Sequence, residues 1–149
     1  MTTAPAVPAS IIEQTQALRL LYQEFARMRG LIRRALAYSG GSHTTEDVLN
    51  NLINGQLKLW TNVDSFGITE IEYYPRTKIC HIFLAGGNLK SIGDIESRIS
   101  HYAELNGCDA VTLTGRKGWA RTFLTHRGYK TKWVVLVKDL KAQRDGERQ

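Results

Sequence analysis

The residues able to do acid–base chemistry are few. Glu70 and Glu72 stand two apart in an apolar-alternating run, so both project from one face of a strand, and His81 follows in the next apolar run. Two carboxylates and an imidazole could supply a general base. The same residues also fit a solvated strand face and a hydrogen-bonded core histidine. His101 and His126 lie far apart on helical segments. No His/Cys/Asp/Glu spacing reads as a metal site, and no Ser/His/Asp pattern, phosphate loop or dinucleotide fingerprint is present. The other functional candidates are cationic or aromatic: Arg27, Arg29, Arg33 and Arg34 within eight residues, and Trp119 after Gly115-Arg116-Lys117-Gly118.

The elements that would position these groups follow from periodicity. Residues 1–9 hold two prolines and no periodic apolar residue, which predicts an extended arm. Ser10 and Glu13 have capping-box spacing. A helix over about 11–38 carries Ile11, Leu18, Leu21, Phe25, Met28, Ile32, Ala35 and Leu36 as one stripe, and Gly40-Gly41 stops it. Thr44 or Thr45 caps a short helix to about Asn54. The period then drops to two, and strands are expected at Leu57–Asn62, Ile68–Tyr74 and Lys78–Leu84. The third is almost wholly apolar and reads as central; short links make an antiparallel meander. Ala85-Gly86-Gly87-Asn88 leaves that strand for a helix over 91–106. A strand at Ala110–Thr114, a helix at Trp119–Arg127 capped by Gly128, and a last strand at Lys132–Lys138 complete the order. This is an α/β chain with a mixed sheet and helices on its faces. It divides into an arm and long helix (1–41), a domain (42–140) and a polar tail (141–149).

The length of 149 residues suits one domain with a real core. No apolar run is long enough to span a bilayer, and the first residues lack the basic and apolar regions of a secretory signal. Cys80 and Cys108 sit in apolar runs and read as reduced, buried thiols. The net charge of +6 is uneven: +3 in residues 1–40, −4 in 41–115 and +7 from 116 onward. Basic ends around an acidic middle suit either a solvated surface or a polyanionic partner such as nucleic acid.

The element order resembles the GNAT acyltransferase superfamily, with an extra long N-terminal helix. Tyr102-Ala103-Glu104-Leu105-Asn106-Gly107 and the Ala110–Leu113 strand look like the end of that family's central helix and its next strand. Ala120 and Gly128 match its later helix, and Tyr129 stands where that pattern closes on Phe. The resemblance implies a CoA diphosphate cradle opening the central helix, which falls on Gly86, Gly87, Asn88, Lys90 and Ser91. There the family's glycines are replaced by Lys90 and Ile92. The position of the family's general-acid tyrosine falls on Leu124, which cannot donate a proton. The resemblance therefore implies a degenerate site and no cofactor, or acetyl-CoA if the chain is an enzyme with Glu70, Glu72 or His81 as base.

The runs TTEDVLNNLINGQLKLW, ITEIEYYP, LAGG and GCDAVTLTGRKGWAR further resemble small GNAT-like proteins of tailed bacteriophages. This implies a virion-associated protein, found in the particle or the host cytoplasm, that contacts other virion proteins or copies of itself through its long helix. Three functions follow as expectations: a non-catalytic structural or interaction protein, an N-acetyltransferase, and a nucleic-acid binder using its basic ends.

Overall fold

The computed structural model describes residues 8–115, 118–119 and 122–141. The chain forms two compact units, residues 1–116 and 117–149.

In the first unit, α1 (Ala9–Leu36) and α2 (Thr45–Ile53) precede β1 (Lys58–Thr61), β2 (Ser65–Tyr73) and β3 (Lys78–Gly87); α3 (Leu89–Leu105) and β4 (Ala110–Leu113) follow. The sheet order is β1-β2-β3-β4, antiparallel up to β3 and parallel between β3 and β4. The mixed α/β class, the meander and the interior place of the third strand are as the sequence predicts.

Helices lie on both faces because the strands are apolar on both. Phe25, Met28, Ile32 and Leu36 of α1 and Val48 and Leu52 of α2 bury against Phe66, Ile68 and Leu84. Ile95, Ile99 and Ala103 of α3 bury against Trp60, Cys80 and Ile82 on the other face. Trp60 is therefore a core residue, its indole Nε1 donating to Thr69 Oγ1 at 2.9 Å. Cys80 and Cys108 are free thiols; Cys80 is buried and Cys108 half-buried.

The α1 start differs from expectation. Its N-cap is Pro8, with no side-chain cap, so the Ser10–Glu13 capping box does not form. Proline at φ −56° already has a helix-compatible backbone, and the helix begins before Ser10 can cap it. A capping box does form at α2. The Asp47 N–H donates to Thr44 Oγ1 at 3.2 Å, and the Thr44 N–H donates to Asp47 Oδ2 at 2.9 Å. These bonds hold the Asp47 carboxyl below its ordinary range. Its half of the box is thus present above the unfolded-chain titration and is lost as pH falls through the lower folded value. Thr44→Ala should lower stability by about 1 kcal/mol in thermal melts at neutral pH.

The second unit departs most from the sequence reading. Of the helix expected at Trp119–Arg127, a 3-10 helix over Phe123–Arg127 forms, with Gly128 as its left-handed cap at φ 92°. The strand expected at Lys132–Lys138 is absent: the segment has no regular structure, and Trp133 to Val137 are each 76–91% exposed. A strand exists only through ladder hydrogen bonds to another strand, and the described residues of this unit contain no other strand.

Candidate functional site

Two groups of residues bear on function: the junction before α3, and the acid–base side chains on the sheet.

The junction is closed by its own hydrogen bonds. Gly86 and Gly87 end β3 in register with Phe66 and Ser65. Asn88 is the N-cap of α3, and its side chain accepts from the Lys90 N–H at 3.0 Å. The Ser91 and Ile92 amides both donate to the Asn88 carbonyl, at 3.1 and 3.0 Å. The amides of Asn88, Lys90, Ser91 and Ile92, which could otherwise grip an external anion, are thus engaged within the fold. The Ser91 hydroxyl is short-bonded to the Asp64 carboxylate and lies 3.0 Å from Ser65 Oγ. Asn62 completes the tie: its amide donates to the Ser91 carbonyl at 2.8 Å, and its Oδ1 accepts from Ser65 N and Oγ at 2.9 and 2.6 Å. A carboxylate therefore occupies the helix mouth, where the helix dipole already favours it and a diphosphate would be repelled. Lys90 is exposed.

The acid–base group is assembled by strand register. Glu70 on β2 lies opposite His81 on β3, which lies opposite Thr112 on β4. Glu72 shares the face of Glu70. One donor atom each from Glu70, Glu72 and His81 all fall within 4.8 Å of one another, and all three residues are half-buried. A register shift between Ile68 and Thr69 sets this pairing. His81 Nδ1 is 2.8 Å from Thr112 Oγ1. Tyr74 donates its hydroxyl to Glu72 Oε2 at 2.6 Å. Burial raises the Glu70 pKa, the neighbouring Glu72 raises it further, and His81 opposes the shift. A carboxyl that holds its proton to higher pH than usual, next to an imidazole, is the type of arrangement a general base or acid uses. Cys80 takes no part: it faces α3, and burial pushes its thiol up to about 11.

The cationic candidates are dispersed. Arg27 donates to the Val63 and Asn62 carbonyls at 2.8 and 2.7 Å and pairs with Glu24. Arg29 pairs with Glu46 at 3.0 Å and links α1 to α2. Arg33 and Arg34 are exposed on the last turn of α1. Trp119 is half-buried in the second unit, where its carbonyl accepts from Thr122 Oγ1 at 2.7 Å. Leu124 is buried. Lys117, Ala120 and the basic residues Arg116, Arg121, Arg144 and Arg148 lie outside the described residues.

Sequence reasoning found Glu70, Glu72 and His81 and missed Thr112, Asp64 and Asn62. The last two carried a local signal, since an Asn three residues before a Ser favours a side-chain-closed turn. Thr112 carried none, because only the β3–β4 register brings it to His81.

No protein-family model matches the sequence, and no curated protein matches it. Among solved structures, the chain is similar to a tetramutant of the BH1408 protein from Bacillus halodurans. The identity is 14%, the match covers 80% of this chain and 94% of that one, and the TM-score is 0.57. Similarity at this level establishes a shared mixed α/β fold and nothing finer.

Proposed function

We propose that this chain is a GNAT-like protein that works without acyl-CoA, as a structural or interaction component of a tailed-phage particle. The observation that carries the non-catalytic reading is the mouth of α3, whose Lys90, Ser91 and Ile92 amides are spent on Asn88 and whose Ser91 hydroxyl is held by Asp64. The phage assignment rests on the sequence resemblance alone. An interaction role gains support from α1. Ile11, Leu18, Phe25 and Ile32 recur every seven residues, yet Phe25 and Ile32 are buried while Ile11 and Leu18 are 49% and 40% exposed. One stripe thus serves the domain at one end and presents apolar surface at the other, where a virion protein or a second copy could pack.

Calorimetric titration of the full chain with acetyl-CoA tests the central claim. The expected result is no saturable heat up to millimolar cofactor. Sub-millimolar binding would overturn it and favour the second reading, an N-acetyltransferase. That reading has one observation behind it, the convergence of Glu70, Glu72 and His81. The nucleic-acid reading keeps Arg33 and Arg34 and, of the basic residues from Arg116 onward, the exposed Lys130, Lys132, Lys138 and Lys141, but Arg27 and Arg29 are engaged within the fold.

A further inference from the structure

The row Glu70–His81–Thr112 crosses three strands on the sheet face that α1 and α2 cover elsewhere, and Glu72 stands beside it. Ligands of one ion, each about 2 Å from it, lie roughly 3–4 Å apart. The three donor atoms, all within 4.8 Å of one another, come to that separation with side-chain movements of about an ångström.

Two further features favour a cation. First, the imidazole is oriented from behind. His81 Nδ1 lies 2.8 Å from Thr112 Oγ1, and in the tautomer whose Nδ1–H donates there the lone pair is on Nε2. A hydrogen-bond acceptor on the far ring nitrogen is the usual device for fixing the tautomer of a ligating histidine. Second, among the described residues neither carboxylate has a lysine or arginine ion-pair partner. The ion pairs among the described residues join Arg27 to Glu24, Arg29 to Glu46 and Arg98 to Asp94, and none includes Glu70 or Glu72. Like charges on one strand face repel, and half-burial sharpens the repulsion. The nearby ionisable groups acting on Glu70 are Glu72, His81 and His43, and Tyr74 is bonded to Glu72.

We propose that Glu70, Glu72 and His81 bind one divalent transition cation of the zinc class, with Thr112 as the positioning residue behind His81. The donor set selects the class. An imidazole nitrogen favours zinc, copper, iron or nickel over calcium, magnesium or manganese, and the one adjacent thiol, Cys80, faces the opposite side of the sheet. Three protein ligands leave a coordination position open. The inference does not depend on the function proposed above, because the site is remote in register from the α3 mouth and needs no acyl-CoA.

The test is titration of the metal-stripped full chain with Co²⁺, read by visible absorption, followed by displacement with Zn²⁺. The expected result is a saturable band at a ratio of about one ion per chain. The nearly isosteric changes Glu70→Gln and Glu72→Gln should each weaken binding at least about tenfold, and His81→Ala should abolish the band. Thr112→Val should weaken it by roughly tenfold, with circular dichroism unchanged. His101→Ala, on the exposed side of α3, should leave it intact. Absence of saturable binding up to millimolar Zn²⁺ would overturn the proposal. So would a band that survives Glu70→Gln with Glu72→Gln in a chain that keeps its fold.

Discussion

Replacing Phe66 by alanine should destabilise the first unit by about 3–5 kcal/mol and lower its melting temperature by roughly 10 °C or more. Phe66 has no exposed surface and belongs to the cluster formed with Met28, Ile32, Val48 and Ile68. Its partner across the β2–β3 ladder is Gly86, and a Cβ placed there would come 3.0 Å from Phe66 Cε1. The ring therefore covers the space that a side chain at 86 would need. Truncation removes the ring's burial and leaves a cavity bounded by α1, α2 and two strands, which rigid ladders cannot fill by collapse. Thermal or urea unfolding of the variant checks this. A loss under about 1 kcal/mol would show that the α1 face closes over the gap and is held less rigidly than its packing implies.

Gly87→Ala should cost about 3 kcal/mol or more, though the residue is exposed and at the end of a strand. Its φ is +112°, a region that side chains rarely adopt. An added Cβ would lie 2.3 Å from the Asp64 carbonyl oxygen and 2.6 Å from Ser65 Cα. Both atoms are backbone, so no rotamer change relieves the clash, and β2 and β3 must separate where Ser65 meets Gly87. The separation would also disturb the Asn88 N–H bond to the Asp64 carbonyl. The measurement has a second use. A glycine kept for close approach of a phosphate could be replaced without harming the ligand-free chain. A large drop in melting temperature instead assigns Gly87 to the approach of one strand to another. A near-unchanged melting temperature would remove that assignment and reopen the junction as a binding loop.

The same junction shows why function was only partly legible from the residues. Gly86, Gly87, Asn88, Lys90 and Ser91 were readable as a weakened diphosphate cradle because glycine content and helix position are local properties. The plug that closes it was not readable. Asp64 is 27 residues before Ser91, and nothing in either neighbourhood specifies the other. The acid–base group repeats the lesson. Shared parity put Glu70 and Glu72 on one face, but their meeting with His81 depends on the irregularity at Ile68/Thr69, which sets the β2–β3 register. Metal-motif spacing misses such a set because the ligands are neighbours across hydrogen-bonded strands and not along one chain segment.

The second unit shows the opposite error. Trp133-Val134-Val135-Leu136-Val137 has the composition of a buried strand, and the sequence alone reads it as one. Composition expresses a preference for burial but supplies no partner, and the segment forms no strand.

By itself the sequence determined the local pattern of most elements of the first unit: the 3.6-residue stripes of α1 and α3, the alternation of the first strand and the apolar run of the third. These are set by interactions between residues a few positions apart, where side-chain direction follows directly from backbone geometry. Tertiary structure alone decided which side chains meet, namely Asp64 with Ser91, Glu70 with His81 and His81 with Thr112. Those meetings depend on strand register and helix docking, which are chosen by the packing of the whole core, and a shift of one residue in a strand would send every such group to the opposite face.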